Sequence, residues 1–374
     1  MQRQGRSMKY ICLLLFTSLA AVAEPIKVTL VNPSIPGTPF WDRVTAVAFA
    51  AAEDLDIKLS VVYGRDNRIF NHQTIKDIAA QKNIPHFVIF MPYGGNAKNS
   101  YAVLNNRRIP FVTMERTLHE HEQEDIGLPQ EKYSYWLGEV YHDNIQAGRL
   151  LAETLVSYAS SEFGKLSLTA IGISGSFSGE SEERVEGFLQ SINAHRNIQL
   201  LQVVPGGWSR ERSRDIIHRL SSRYGIINIA WTASDGMALG VLDSVTSLHS
   251  PVKNKIITGG IDWTIEALQK IESGEMTASV GGHFMQAAWA LVKIYDHVQG
   301  KKVFMVGGNA KPYLLGVITP DNISKYMLLS RAIDWHQVDF KDFTLTHGPE
   351  EETYNFDFTL VLEQLAASVE ATKK

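Results

Sequence analysis

The 374-residue chain has a single cysteine, Cys12, and it lies close to the amino terminus. No disulfide can form within the chain, so its own core must hold the fold together. A chain of this length can build such a core, as two domains. Past Cys12 there is also no thiol to act as nucleophile. No Walker A pattern occurs, and no Gly-x-Gly-x-x-Gly links a strand to a helix, so no loop is set up to cradle phosphates. Gly175-Ser176-Phe177-Ser178-Gly179 centres on Phe177, leaving no serine at the elbow of a hydrolase. Beyond the first residues no run is long and apolar enough to cross a bilayer.

The amino terminus itself reads as an export signal. Arg3, Arg6 and Lys9 form a positive region, Ile11 to Ala20 is a short apolar run, and Ala21-Val22-Ala23 is a small-x-small cleavage pattern before Glu24. The run is shorter than a membrane anchor requires. A cleaved signal over 1–23 and a soluble periplasmic product are expected. Its loss removes three basic and no acidic residues, taking the formal net charge from −4 to −7. That balance argues against nucleic acid or an anionic membrane as partner.

Apolar, β-branched runs alternate with helical patterns along most of what remains. Lys27–Val31, Leu59–Tyr63, Phe87–Phe90 and Phe111–Met114 read as strands. Between the first two, Val44, Val47, Ala48 and Ala51 mark one face of a helix. A second series follows at Leu168–Ile173, Leu200–Val204, Ile226–Trp231 and Ile256–Thr258. Helices are expected around Asn144–Tyr158, Glu182–Ala194, Arg210–Tyr224 and Met237–Ser247. Continuous apolar strands separated by helices imply parallel sheets covered on both faces. The fold class is therefore α/β, with two Rossmann-like lobes meeting near Tyr135–Asp143. Thr277–Val280 and Pro312–Ile318 read as further strands, Phe284–Gln299 as an amphipathic helix, and the remainder to Lys374 as a polar tail.

Polar and aromatic residues collect just after the strands, where open α/β sheets bind ligands. Phe40 and Trp41 follow the first strand and offer an apolar stacking surface. Glu115-Arg116 follows the fourth: a rigid fork of donors beside a carboxylate acceptor suits vicinal hydroxyls. Elsewhere such a dipeptide would read as a solvated surface pair. In the second series Arg184 opens a helix and Trp208 follows Pro205-Gly206-Gly207. Ser234-Asp235 and Asp262-Trp263 close two more strands. Asp235 has a plain alternative as a helix cap, and Trp263 as core. His119-Glu120-His121-Glu122 has metal-binding side chains but reads as part of a charged loop, without a helical pair of histidines, and no metal is expected there. Carboxylates paired in space for glycoside hydrolysis remain open as an alternative.

These residues resemble the periplasmic sugar-binding proteins of the ribose/galactose-binding type, the type I periplasmic binding proteins. Thr38-Pro39-Phe40-Trp41 is similar to that family's Asn-Pro-aromatic-aromatic, and Ile109 to Arg116 to its strand ending in Asp-Arg. His142-Asp143-Asn144 with Ala147-Gly148 resembles its crossing between lobes. Arg184-Val185-Glu186-Gly187-Phe188 resembles Arg-x-x-Gly-Phe, and Ser234-Asp235-Gly236-Met237-Ala238-Leu239-Gly240 resembles Asn-Asp-x-Met-Ala-Leu-Gly. Asp262 stands at the family's ligand aspartate, and Gly282 or His283 at its glutamine. The departures at Thr38, Glu115, Ser234 and His283 all fall on ligand-facing positions.

The resemblance covers about Ile26 to Tyr326. It implies two lobes joined by three hinge crossings: 24–141 with 284–311, and 142–283 with 312–326. Residues 327–374 form an extension without an assigned role. It further implies a monomeric binding protein, not an enzyme, without cofactor. A monosaccharide or related polyol would be held by Phe40, Trp41, Glu115, Arg116, Arg184, Trp208, Ser234, Asp235, Asp262 and His283. The partner would be the permease of an ABC-type importer or, alternatively, a membrane sensor kinase. An exported sugar hydrolase is the rival from another class. A transcriptional repressor of this fold is disfavoured by the export signal.

Overall fold

The computed structural model describes residues 24–118, 120–164, 167–176, 179–246, 255–308, 310–348 and 353–372. The expected signal, His119 and Phe177 lie outside them. The first lobe alternates strand and helix: β1 (Ile26–Asn32), α1 (Pro39–Asp54), β2 (Ile57–Tyr63), α2 (Arg68–Ala80), β3 (Phe87–Phe90), α3 (Ala97–Asn106), β4 (Phe111–Glu115), α4 (Glu120–Ile126) and β5 (Trp136–Tyr141). The sheet is parallel, in the order β2-β1-β3-β4-β5. Every residue of β3 and β4 is buried, as expected for strands covered on both faces.

The second lobe runs α5 (Asn144–Phe163), β6 (Leu168–Ser174), α6 (Gly179–Ala194), β7 (Ile198–Pro205), α7 (Arg210–Tyr224), β8 (Ile229–Thr232), α8 (Asp235–Thr246), β9 (Ile257–Ile261), α9 (Ile265–Glu272) and β10 (Ala278–Gly281). The chain then returns through α10 (Gln286–Val298), which packs on α1, and crosses again to β11 (Gly316–Ile318). The second sheet has the order β11-β10-β9-β8-β6-β7, with only β11 antiparallel to its neighbour. The chain thus passes between the lobes three times. The first and third passages touch, since the Tyr313 N–H donates to the Tyr141 carbonyl at 3.1 Å and His142 bridges Tyr313.

Local chemistry sets several boundaries. Pro39 occupies the first turn of α1, where its missing N–H costs nothing. Asp143 caps α5 by accepting from the Gln146 N–H at 2.8 Å, and Ser209 caps α7.

Three expectations need correction. The segment expected as a charged loop forms α4 from Glu120, and its Glu122 carboxylate accepts from the Gly95 N–H at 2.6 Å. The lobes do meet within Tyr135–Asp143, but the segment begins with a strand that was not expected, β5, hydrogen-bonded to β4. The polar tail is a structured extension. Short 3₁₀ turns at Ile323–Ser330, Trp335–Gln337 and Phe340–Phe343 lead to α11 (Phe358–Thr372). It buries Leu329, Trp335, Phe340, Phe343, Val361 and Leu365 in the same apolar cluster as α1 and α10. Val361 and Leu365, one helical turn apart, mark the buried face of α11, and contact with the lobes holds it there.

Candidate ligand-binding cleft

The carboxyl ends of both sheets and the chain crossings meet around a small group of buried polar side chains. Glu115 closes β4 with a left-handed φ of 78° and is 3% exposed. One carboxylate oxygen lies 3.4 Å from Arg184 Nη2 of the opposite lobe, and the other accepts from Gln286 Nε2. Burial pushes the Glu115 carboxyl up to about 7, against the pull of Arg184 and Gln286.

Arg184, near the start of α6, is 3% exposed, and each of its three guanidinium nitrogens has one protein partner. Nη1 donates to the Ala233 carbonyl at 3.0 Å and Nε to Asn144 Oδ1 at 2.9 Å. A guanidinium only donates, so the Asn144 atom facing it is an oxygen. That oxygen also lies 3.0 Å from His142 Nε2, which must therefore carry the ring hydrogen and leave a lone pair on Nδ1. His142 and His283 stack at a tilt, 4.7 Å between ring centres, and burial drives both well below the usual imidazole range. Among the described residues, neither His283 ring nitrogen nor His142 Nδ1 has a hydrogen-bond partner.

Aromatic rings line the same place. Phe40 lies 4.5 Å from the His283 ring, and Trp41 meets Phe40 edge-on at 5.1 Å. From the other lobe the Trp208 ring lies 5.9 Å from the Arg184 guanidinium, and its Nε1 donates to Ser176 Oγ. Asp262 approaches His283 Nε2 at 3.4 Å. Burial raises the Asp262 carboxyl to about 7. Arg116 forms a second bridge between the lobes: Nη1 donates to Glu180 Oε2 at 2.8 Å and Nε to the Pro92 carbonyl.

Of the expected residues, Phe40, Glu115, Arg184, Asp262 and His283 come together directly, and Trp41, Arg116 and Trp208 adjoin them. Ser234 and Asp235 face other partners. Ser234 Oγ accepts from the Met237 N–H at 3.4 Å, within the first turn of α8. The Asp235 carboxylate accepts from the Thr264 N–H at 2.7 Å, the Thr264 hydroxyl and Ser279 Oγ. Both its oxygens tie α8 to the loop before α9 and to β10. Four participants had no expected role in the site: His142, Asn144, Glu180 and Gln286. His142 and Asn144 carried only a signal for the crossing, while Glu180 and Gln286 lie within helices and become visible only in three dimensions.

Glu115, His142 and His283 each place one donor atom within 4.8 Å of the others, a set that zinc accepts. A resident metal does not fit. Both Glu115 oxygens are already taken by donors, and one of these is a cationic guanidinium 3.4 Å away.

Residues 28–302 match the periplasmic binding protein domain. The chain belongs to that family. Over 138 residues it is 28% identical to the D-allose-binding periplasmic protein of Escherichia coli (strain K12), a match covering 37% of this chain and 43% of that relative. The chain thus spans under half the length of this curated relative. A periplasmic sugar-binding protein from Pseudomonas fluorescens superposes with a TM-score of 0.78 at 22% identity, covering 90% of this chain and 99% of that one. A periplasmic solute-binding protein from Actinobacillus succinogenes 130z with bound D-allose gives 0.70 at 18% identity, covering 81% and 100%. Both structures share the two-lobed fold of the family.

Proposed function

We propose that the protein captures a neutral, hydroxyl-rich molecule, a monosaccharide or close relative, between its lobes and presents it to the permease of an ABC-type importer. The observation that carries the reading is charge matching inside the cleft. Arg184 faces Glu115, and Arg116 faces Glu180. Each cation already has a buried counter-charge from the other lobe, so an anionic ligand would be over-supplied with negative charge. A polyol instead offers donors to Glu115 and Asp262 and acceptors to the guanidinium forks, while Phe40, Trp41 and Trp208 cover its apolar faces. In this reading His283 and His142 Nδ1 accept from ligand hydroxyls, Ser234 lines the second-lobe wall, and Asp235 acts behind it by fixing the loop that carries Asp262.

The same reading takes 1–23 as a signal removed on export and the mature protein as a monomer. It takes the first lobe as 24–141 with 284–311 and the second as 142–283 with 312–326. Among the described residues of the cleft neither histidine is paired with a serine or threonine hydroxyl, which favours capture over turnover. The test is mass spectrometry of the compound released on denaturing purified protein, followed by calorimetry. D-allose, D-galactose, L-arabinose and myo-inositol would be compared with a sugar phosphate. Release of a neutral sugar or polyol supports the reading. Preference for the phosphate, or release of sugar products from chromogenic glycosides, overturns it.

A further inference from the structure

The extension beyond Tyr326 touches both lobes, on the same residues. From the first lobe, Arg43 of α1 donates through Nη1 to the Trp263 carbonyl of the second lobe and through Nη2 to the Leu329 carbonyl of the extension at 2.9 Å. Its guanidinium lies 4.5 Å from the Phe284 ring and 5.6 Å from that of Trp335. Phe358, at the start of α11, packs edge-on against Trp263 at 5.4 Å and against Phe284 at 5.5 Å. On the second lobe Gln269 of α9 donates to the Ser330 carbonyl at 3.0 Å. On the first, Asp296 of α10 accepts from the Leu345 N–H, the Thr346 hydroxyl and the Tyr354 hydroxyl. One apolar cluster joins α1, α9, α10 and the extension without a break.

Trp263 is where this cluster reaches the cleft. Asp262 and Trp263 are successive non-glycine residues with φ of 144° and 53°. Such backbone is costly and persists only where its surroundings hold it. Here Ser279 receives the Trp263 N–H, Arg43 holds its carbonyl, and Phe358 and Tyr326 hold its ring. The next residue back is Asp262, beside His283.

We infer that residues 327–348 and 353–372 clasp the two lobes behind the cleft, resisting opening and holding Asp262 in its place through Trp263, with Arg43 and Phe358 as the positioning residues. The role of Asp262 rests on the ligand site proposed above; the clasp itself does not. Opening the lobes must part Arg43 from Trp263 or drag the extension with them, since both partners of the contact are also anchored to it.

The test needs no ligand. Lys58 and Arg196, exposed and in different lobes, are replaced by cysteine, which is unambiguous because Cys12 is the sole cysteine and lies within the expected signal. Spin labels there report interlobe distances after bound ligand is stripped by unfolding and refolding. Phe358→Ala, Arg43→Met and a chain ending at residue 348 should each shift the ligand-free distances beyond the longest that the parent reaches. Phe358→Leu, which keeps an apolar contact, should restore the parent distribution. Distances unchanged in both point variants overturn the clasp, even if the shortened chain fails to fold. A longer distance with Phe358→Leu matching Phe358→Ala also overturns it, since general loosening would then be the cause. Failure of the sugar reading would appear in calorimetry and leave these distances untouched.

Discussion

Arg184 and Glu115 belong to different lobes, are both at most 3% exposed, and stand 3.4 Å apart with Gln286 and Asn144 holding their far sides. The contact joins the lobes as much as it equips the cleft. Breaking a buried pair by deleting one member leaves an uncompensated charge and costs about 3–5 kcal/mol. Arg184→Met should therefore lower unfolding stability as well as sugar affinity. Adding Glu115→Gln should recover part of the stability but not the affinity. Urea unfolding and calorimetry on the four proteins of the cycle decide it, and strictly additive stability losses would deny the coupling.

Glu115 also sets a pH dependence with a definite sign. Its carboxyl is raised from 4.5 to about 7 in the folded protein, chiefly by burial. Its contribution to stability is fully present below the unfolded value and is lost as pH rises through about 7. Glu115→Gln should flatten the stability profile between these limits, by at most about 1.4 kcal/mol per pH unit, one proton's worth. The histidine contributions run the other way, because His142 and His283 are depressed and must charge on acid unfolding. They are common to both proteins and cancel in the difference. Identical profiles would mean that the Glu115 carboxyl is ionised normally.

The lobes should close on ligand by a hinge movement, because Arg116 and Arg184 each reach across to a carboxylate of the other lobe. Small-angle scattering should give a smaller radius of gyration with saturating ligand. Arg116→Ala should enlarge the ligand-free value relative to the parent. An unchanged radius in the face of measured binding would rule out the clamp.

The architecture was legible where the physics is local. Apolar strands such as Phe87–Phe90 and Arg210–Tyr224 as a helix follow from pattern and capping alone. Glu115, Arg184 and Asp262 could be placed at strand or helix ends from the same pattern, whereas His283 was expected only through the family resemblance, as an alternative to Gly282. What escaped depends on tertiary contact. The packing of the extension depends on Trp263, Trp289 and Arg43, which lie far from it in the sequence. Glu180 and Gln286 enter the cleft only because α6 and α10 bring them there. Asp235 occupies its expected position but spends both oxygens on Thr264 and Ser279.

Stacking can be read directly. Trp41→Ala should weaken sugar affinity by about 1–3 kcal/mol, the usual loss for an aromatic anchor in a desolvated site. Binding should also change the tryptophan fluorescence of the parent. Equal affinities would assign Trp41 to the apolar cluster it borders rather than to the ligand.

The closest backbone approach in the second lobe tests whether α6 must sit where it does for Arg184 to work. A Cβ on Gly187 would fall 1.9 Å from the Ile145 carbonyl oxygen, and one on Gly148 equally close to the Arg184 carbonyl oxygen. These contacts are with backbone, so no side-chain rotation relieves them, and α5 and α6 would have to separate. Overpacking of this kind costs about 1–3 kcal/mol or more. Gly187→Ala should therefore lower stability and shift Arg184 away from Asn144 and Glu115 together. Sugar affinity should fall although the substituted residue lies a full turn from the guanidinium. Gly225→Ala makes a control for stability alone: it has open space around its Cβ and strain only from its φ of 80°. It should destabilise while leaving affinity intact. Parallel losses of affinity in both variants would show that binding tracks overall stability, and the positioning of Arg184 by α5 and α6 would lose its support.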